Sequence, residues 1–312
     1  MKNTLSLLEK CELCPRGCKA ERLKGKKGYC GIADEILIAH YGPHHGEEPP
    51  ISGTKGSGNI FFSSCNLRCL FCQNHQISHG KLGKAVSMEG LVEIFFGLAE
   101  TGCHNINLVS PTPYVPHIAL AIEKAKSEGL QIPFVYNTNG YETVETIQAL
   151  DGLIDIYLPD FKYWSPQIAY RLSDAPVGKS YPDHAKAAIL EMKSQVGDLA
   201  IEGGLAKKGI LVRHLVLPAN LAGSKQVIGW IRDNLGNQTF VGLMSQYFPL
   251  HKAETYPMIN RKIREDEYDN LIGLMVDVGF ENVFIQELDS APLFVPDFGR
   301  PEPFAAQFAN EE

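Results

Sequence analysis

The chain has 312 residues, of which 44% are hydrophobic and 21% are charged, a composition that is typical of a folded globular protein and excludes disordered and collagen-like classes. The formal net charge is −7 at pH 7, which disfavours a general role in binding polyanions such as nucleic acid. Of the eight cysteines, seven precede residue 73, and this clustering argues against a chain-wide disulfide framework and indicates metal binding.

The sequence pattern predicts no targeting or membrane segment. The apolar stretch from Leu5 to Leu8 is too short for the core of a signal peptide. No apolar run approaches the ~18 residues that a membrane span needs. We therefore expect a cytoplasmic protein with no membrane partner, in a compartment where thiols stay reduced and can bind metal.

Residues 1–57 are expected to form a cysteine-rich N-terminal head and a connecting loop. Cys11, Cys14, Cys18 and Cys30 lie close together in sequence, and four thiolates can form either a tetrahedral zinc site or a fully ligated iron–sulfur cluster. A head this short cannot bury enough apolar surface by itself, so we expect metal to supply its folding free energy. The spacing leaves zinc and iron–sulfur open, and thiols without metal are the remaining alternative.

The head is basic, whereas the rest of the chain is acidic. Residues 1–30 carry eight Lys or Arg against three Glu, a net charge of +5, and so leave −12 for the remainder of the −7 chain. The basic side chains could form a solvated loop or a docking face for an acidic partner, such as an electron-donor protein.

Residues 41–58 connect the head to the rest of the chain. They are rich in Gly, Pro and Ser, so we expect an irregular connection. His40, His44, His45, Glu47 and Glu48 give this region an unusual density of polar side chains, which could line a site or lie at the surface.

Residues 58–312 are expected to form an α/β body with a C-terminal extension, because their periodicity alternates between strands and helices. Repeated strand–helix units predict a parallel sheet with right-handed crossovers, and six or seven units favour an open or complete barrel. The predicted strands cover 59–62, 106–109, 134–136, 153–158, 210–217, 240–244 and 283–288. The predicted helices follow Ser87, Thr143 and Ser165 as N-caps, or cover 117–127, 183–196, 224–235 and 265–278.

Three cysteines follow the first strand of this body at the spacing C-x3-C-x2-C: Cys65, Cys69 and Cys72. Three thiolates can hold one face of a 4Fe–4S cluster, whereas full protein ligation uses four cysteines. With no fourth cysteine nearby, one iron stays open, and an open position is typical of a catalytic metal site. The loop also follows the carboxyl end of a strand, where barrel enzymes place their chemistry. A structural zinc site or buried thiols with fortuitous spacing is the alternative.

The segment GNIFFSSCNLRCLFCQNHQ resembles the signature of the radical S-adenosylmethionine (SAM) superfamily. The resemblance implies a partial (β/α)6-type radical SAM barrel carrying the small cysteine-rich metal-binding extension. It implies that the open iron binds the amino and carboxylate groups of SAM, and that one-electron reduction gives methionine and a 5′-deoxyadenosyl radical that abstracts hydrogen from a substrate. The protein would supply position and a water-poor cavity. Phe71, before the last cysteine, could shield the cluster or pack on a ligand ring.

Later segments resemble pyruvate formate-lyase activating enzymes. NTNG at 137–140 is similar to their Asp-Thr-Asn-Gly stretch, PDFK at 159–162 is similar to their Asp-Leu-Lys, and the fifth predicted strand is similar to their Arg-containing strand. The resemblance implies that Lys162 pairs with the carboxylate of SAM and Asp160 with its ammonium group or ribose. A surface or turn role is the alternative for each. The other cofactor contacts implied in these segments are Asn137, Asn139, Arg213 and His214.

One superfamily motif is missing. The Gly-Gly-Glu that often holds the amino group of SAM is absent after the second predicted strand, which ends in SPTP at 110–113. Backbone carbonyls, Ser110 or Thr112 could make this contact, and a plain turn is the alternative. MSQY at 244–247 follows the sixth strand and could line the substrate cavity, whereas Cys103 is expected to be an ordinary buried residue.

The motifs that carry the resemblance, from CELCPRGC to LMSQYFP, span residues 11–249. The whole layout resembles a group related to pyruvate formate-lyase activating enzymes. The first hypothesis is an activase that makes a glycyl radical on a partner enzyme. The second is a radical enzyme acting on a peptide, a cofactor precursor or another small molecule. The third, a non-enzymatic iron–sulfur or zinc-binding module, is disfavoured by the incomplete triad. The implied cofactors are a 4Fe–4S cluster, SAM and a second iron–sulfur cluster or zinc. The implied partners are an electron donor, such as flavodoxin or ferredoxin, and a glycyl radical enzyme or other protein substrate.

Overall fold

The chain folds around one mostly parallel β-sheet. The computed structural model describes residues 4–288 and 295–304, and its strands are β1 (Ile36–His44), β2 (Ser57–Phe62), β3 (Lys84–Val86), β4 (Ile106–Val109), β5 (Phe134–Thr138), β6 (Ile156–Pro159), β7 (Ala200–Glu202), β8 (Leu205–Leu215), β9 (Phe240–Met244) and β10 (Val283–Ile285). The order is β10-β9-β8-β6-β5-β4-β2-β1-β3, with β7 beside β8. From β10 to β2 all neighbours are parallel, which confirms the predicted α/β class and its parallel sheet.

Helices alternate with these strands. Ser87, Thr143 and Ser165 each cap the helix that follows them, because each side chain accepts a hydrogen bond from a backbone N–H of the first turn. None of the helices in the described part of the chain has the length and apolar character that crossing a membrane requires. The helices are α1 (Pro49–Ser52), α2 (His75–Ser78), α3 (Met88–Glu100), α4 (Val115–Ser127), α5 (Val144–Gln148), α6 (Pro166–Ser173), α7 (Tyr181–Val196), α8 (Ser224–Leu235) and α9 (Glu265–Asp277).

The parallel strands have a buried side chain on each face. In β5, Phe134 and Tyr136 belong to the large core that also contains the apolar side chains of α3, α4 and α7. Val135, between them, belongs to a second core with Ile51 of α1. Because successive strand residues point to opposite faces, the helices cover the first face of the sheet and α1 packs against the other.

The connection at residues 41–58 differs from the prediction. Its first residues extend β1, which pairs antiparallel with β2 from Ile38 to His44, and α1 follows. Pro43 argued against a strand in the sequence pattern. However, β3 pairs only with residues 36–38 of β1, so the later part of β1 is a sheet edge, where the missing N–H of proline is tolerated. Strand pairing therefore crosses the predicted boundary between residues 57 and 58.

The sequence pattern also missed β7 and the start of β8. These strands form a hairpin across Gly203 and Gly204, whose φ angles are +57° and +81°. Two consecutive residues with positive φ are what the tight turn of a hairpin requires, and glycine adopts them without steric cost. Within the predicted C-terminal extension, residues 289–294 and 305–312 lie outside the described residues.

Candidate active site

A cavity of about 240 Å³ lies at the carboxyl ends of the parallel strands, the edge where barrel enzymes carry their chemistry. Met244, Gln246 and Tyr247 line it at and just after the end of β9, and Phe304 lines it near the C-terminal end of the described residues. Among the residues predicted from sequence, the cavity brings together Cys65, Cys69, Phe71, Cys72, Ser110, Asn137, Asn139, Asp160, Lys162 and Arg213.

The cysteine loop after β2 is held by the end of α6. The backbone N–H of Arg68 donates to the carbonyl of Ser173 at 2.9 Å, and the Arg68 guanidinium donates to the carbonyl of Cys65 at 2.6 Å. Burial raises the pKa of the Cys65 and Cys69 thiols, and together with the neighbouring Cys69 it raises the pKa of Cys72 to about 12. Metal binding at these thiols must therefore release protons.

The ends of β5 and β6 are fastened to each other. Gly140 has φ +77°, and a Cβ added there would lie 2.2 Å from the carbonyl oxygen of Asp160. The Tyr181 hydroxyl joins the same two segments, since it contacts the carbonyl oxygens of Asn139 and Asp160 at 2.8 and 3.0 Å and accepts from the N–H of Lys162 at 2.9 Å. The two segments that resemble activating enzymes thus form one continuous wall.

Asp160 and Lys162 form a largely buried ion pair in this wall. Burial by itself would lower the pKa of Lys162, but Asp160 and the Cys69 thiolate raise it above its ordinary value. Lys162 therefore stays protonated beside Cys69, and the pair presents a cation and an anion within one side of the cavity.

Arg213 of β8 binds two glutamates from the connection before α1. Its Nε donates to Glu48 at 2.9 Å, and its Nη2 donates to both Glu47 and Glu48. Burial works against the charged form of each group, but the opposite charges prevail, so the pKa of Arg213 is raised and that of Glu47 is lowered. Asn59 and Asn107 also donate to Glu47, at 2.7 and 3.0 Å. Arg213 thus reaches the cavity with its charge already paired.

Two predicted cofactor contacts lie outside this cavity. His214 follows Arg213 in β8 and points to the opposite face, where its ring nitrogens contact the Phe161 carbonyl oxygen at 2.6 Å and the Ser224 hydroxyl at 2.8 Å. Burial lowers the pKa of His214 to about 4, so this histidine is neutral at pH 7. Thr112 turns away after β4 and donates to buried Glu142 at 2.6 Å.

Comparisons with known proteins agree with this arrangement. The sequence profile of the Radical SAM superfamily matches residues 59–197. The chain belongs to the radical SAM superfamily. It is also 30% identical over 276 residues to the uncharacterized protein MJ0674 of Methanocaldococcus jannaschii, in an alignment that covers 86% of this chain and 75% of that protein.

The solved structures that are similar to this radical SAM chain include two of low sequence identity. The FeFe-hydrogenase maturase HydG of Carboxydothermus hydrogenoformans is 16% identical with a TM-score of 0.50, over 71% of this chain and 50% of HydG. This chain therefore spans about half the length of HydG, and the likeness is one of fold alone. A domain of a pyruvate-formate lyase-activating enzyme from Bacteroides vulgatus is 14% identical with a TM-score of 0.39, over 55% of this chain and 93% of that domain.

Radical SAM domains use a 4Fe–4S cluster and SAM, and their enzymes need an electron donor. The residues at the cavity fit this pair, because three thiols adjoin an ionic pair suited to an amino acid moiety. Across residues 4–288 and 295–304, no three Cys, His, Asp or Glu side chains surround a point as closely as the ligands of a single metal ion. A four-iron cluster is larger than one ion, and its thiolates bind different irons.

The four head cysteines line a second, smaller cavity. Arg22 lines it too and is fully buried. The Arg22 Nε and Nη1 donate to the carbonyls of Ala33 and Pro113 at 2.6 and 2.7 Å, whereas Nη2 has no hydrogen-bond partner in the described part of the chain. Asn66, the residue after Cys65, closes the same cavity, so the head packs directly against the cysteine loop of the body.

Sequence reasoning missed the side chains that join head and body. Arg16 stacks over the Tyr29 ring at 3.4 Å, Arg68 lies 4.8 Å from its centroid, and the Tyr29 hydroxyl donates to Asp174. Arg16 also donates to the carbonyl of Asn66 at 2.9 Å. The one available signal was the position of Asn66 and Arg68 between cysteines of the triad.

Proposed function

We propose that the protein binds a 4Fe–4S cluster through Cys65, Cys69 and Cys72 and cleaves SAM reductively to abstract hydrogen from a substrate. The observation that carries this proposal is that one cavity holds the three thiols together with the polar ends of β5 and β6. When bound and reduced, the cluster and SAM supply the radical chemistry. The chain supplies position and the exclusion of water.

Individual side chains have separate tasks in this proposal. Lys162 offers a cation for the carboxylate of SAM, and Asp160 offers an anion for its ammonium group. Ser110 and Asn137 add polar contacts from neighbouring strand ends. Phe71 packs edge-on against Tyr247, with ring centroids 5.4 Å apart, and this pair shields the cavity beside the third cysteine from water.

The first experiment measures 5′-deoxyadenosine and methionine after anaerobic reconstitution with iron, sulfide, SAM and dithionite. Wild type should form both products in equal amounts, and Cys65→Ala, Cys69→Ala and Cys72→Ala should form neither. Cys103→Ala is the matched control, because Cys103 is buried outside both cysteine sites. Product formation by any of the three triad variants would contradict the assignment.

We further propose that the substrate is a partner enzyme on which a glycyl radical is made, in the cytoplasm. Support comes from the two activase-like segments, which line the cavity wall beside the triad. Co-expression with a candidate glycyl radical enzyme should give the electron paramagnetic resonance (EPR) doublet of a glycyl radical, absent with Cys72→Ala. Deuterium transfer from a labelled small molecule into 5′-deoxyadenosine, without any such doublet, would instead identify a small-molecule substrate.

A flavodoxin or ferredoxin is the electron donor in this proposal, and the basic head is its docking face. Lys10 and Lys26 are exposed on that head, and attraction between opposite charges acts mainly on association rates. Lys10→Glu/Lys26→Glu should therefore slow reduction by flavodoxin at low salt while leaving reduction by dithionite unchanged. Equal flavodoxin rates for variant and wild type would exclude this face.

We also propose that the head quartet binds an iron–sulfur cluster. Zinc is the alternative, and a single zinc ion would require the thiols to converge more closely than they do in the described part of the chain. Support comes from Arg22, because a fully buried guanidinium is costly without a counter-charge, and four thiolates outweigh the positive charge of zinc or of an iron–sulfur core. Metal analysis of Cys11→Ala/Cys14→Ala should show the loss of one zinc or one cluster relative to wild type, with the triad cluster retained. Identical metal content in both proteins would refute a metal centre in the head.

A further inference from the structure

Each thiol of the catalytic triad has its own polar side-chain partner. The Asn139 Nδ2 donates to the Cys65 Sγ at 3.3 Å, and the Ser173 hydroxyl donates to the Cys69 Sγ at 3.0 Å. The Ser78 Oγ lies 3.2 Å from the Cys72 Sγ. A thiolate can only accept, so the Ser78 hydroxyl is the donor once Cys72 binds metal. The three partners belong to separate elements: Asn139 follows the end of β5, Ser173 ends α6 and Ser78 ends α2.

The Ser173 hydroxyl has a defined direction. Its oxygen lies 2.6 Å from the hydroxyl oxygen of Tyr163, and Ser173 and Tyr163 are both fully buried. Because Ser173 uses its single proton toward Cys69, the Tyr163 hydroxyl must donate to Ser173. The result is a chain of two hydrogen bonds that runs from the core to one cluster ligand.

The Asn139 amide is likewise oriented. Its Oδ1 accepts from the backbone N–H of Tyr141 at 2.9 Å, and its Nδ2 donates to the Asn66 Oδ1 at 2.7 Å as well as to Cys65. An exchange of the amide oxygen and nitrogen would break all three contacts. Asn139 was expected to contact the cofactor from its sequence position, whereas this geometry directs its amide to a cysteine sulfur.

Hydrogen bonds to cysteine sulfurs are among the factors that set the reduction potential of iron–sulfur clusters. A donor stabilises negative charge on the thiolate, and the reduced cluster carries one more negative charge than the oxidised cluster. We propose that Ser78, Asn139 and Ser173 raise the reduction potential of the triad cluster, and that Tyr163 is a positioning residue that acts through Ser173. This inference rests on the proposed ligation of the cluster by the triad.

The cation of Lys162 acts in the same direction on Cys69 and Cys72, but it is part of the proposed SAM site. Ser78 also lines the cavity, whereas Ser173 is fully buried and its hydroxyl is used by Cys69 and Tyr163. Substitutions at Ser173 and Tyr163 therefore test the reduction potential of the cluster without altering the proposed contacts to SAM.

The test is an anaerobic redox titration of the reconstituted full-length protein without SAM, followed by the EPR signal of the reduced cluster. Ser78→Ala and Ser173→Ala should each lower the ratio of reduced to oxidised cluster at a fixed potential by about tenfold, which is ~59 mV for one electron. Tyr163→Phe should give a smaller shift of the same sign. Ser194→Ala is the control, because the Ser194 hydroxyl is exposed and donates to the Glu191 carbonyl, and it should match wild type.

Iron content separates the possible failures. If Ser78→Ala, Ser173→Ala and Tyr163→Phe hold the same iron as wild type and share its midpoint potential, the inference is overturned while the cluster assignment stands. If wild type binds no cluster, or if the triad variants bind as much cluster as wild type, the proposed function itself fails. If Ser173→Ala does not assemble a cluster, Ser78→Ala and Tyr163→Phe decide the outcome by their own potentials.

Discussion

Glu142 is a buried carboxyl group between the head and the active-site cavity. Its side chain is fully buried, and its Oε1 accepts hydrogen bonds from Thr112 at 2.6 Å, from Tyr136 at 3.2 Å and from Thr138 at 2.5 Å. Its Oε2 has no hydrogen-bond partner in the described residues. Burial raises the pKa of Glu142 from 4.5 to about 7, although the three donors oppose the rise.

This pKa predicts how stability depends on pH. Below pH 4.5 the carboxyl is protonated in both the folded and the unfolded protein, so it costs nothing. Between pH 4.5 and about 7, the carboxyl ionises in the unfolded protein but stays protonated in the folded protein, so stability falls as pH rises. Above that range Glu142 is ionised in both states, and the loss is constant. A rise from 4.5 to about 7 corresponds to ~3 kcal/mol of unfolding free energy above pH 7. Glu142→Gln cannot ionise, so the stability of this variant relative to wild type should increase by most of that amount between pH 5 and 8.

The assay is anaerobic urea unfolding of both proteins at a series of pH values. Difference infrared spectra supply a direct readout, because the C=O stretch of a protonated carboxylic acid should disappear through about pH 7 in wild type and be absent from Glu142→Gln. The control is Glu145→Gln, an exposed position that should not change the pH profile. A stability difference between Glu142→Gln and wild type that stays constant from pH 5 to 8 would refute the reasoning.

Two further predictions concern the cavity walls. Gly140→Ala and Gly152→Ala both place alanine at φ +77°, but the first Cβ would lie 2.2 Å from the Asp160 carbonyl oxygen and the second would meet nothing within 4 Å. Gly152→Ala should cost ~1–2 kcal/mol of unfolding free energy, whereas Gly140→Ala should cost more and should also weaken SAM binding measured by calorimetry. Equal effects of the two substitutions would contradict the predicted clash. Arg213→Met leaves two buried glutamates without a counter-charge and should cost ~3–5 kcal/mol, measured by urea unfolding. Replacing both glutamates by Gln in that variant should recover most of the loss, and no recovery would disprove the charge argument.

The sequence by itself determined the features that depend on neighbouring residues. Strand–helix alternation follows from the spacing of apolar side chains, and caps such as Ser87 and Ser165 act within one helical turn. The cysteine triad and the head quartet are each confined to a short segment, so the prediction of metal binding at both rests on their spacing. The Gly203–Gly204 hairpin carried an equally local signal that the strand–helix pattern did not use.

Only the tertiary structure decided how distant segments combine. Glu48 meets Arg213 across 165 residues, and Ser173 meets Cys69 across 104 residues, separations at which local periodicity carries no information. Strand alternation requires Arg213 and His214 to face opposite sides, but which of the two faces the cavity depends on the helices packed outside the sheet. The same long-range packing set the hydrogen bonds around the triad and placed Asn66 against the cysteine-rich head.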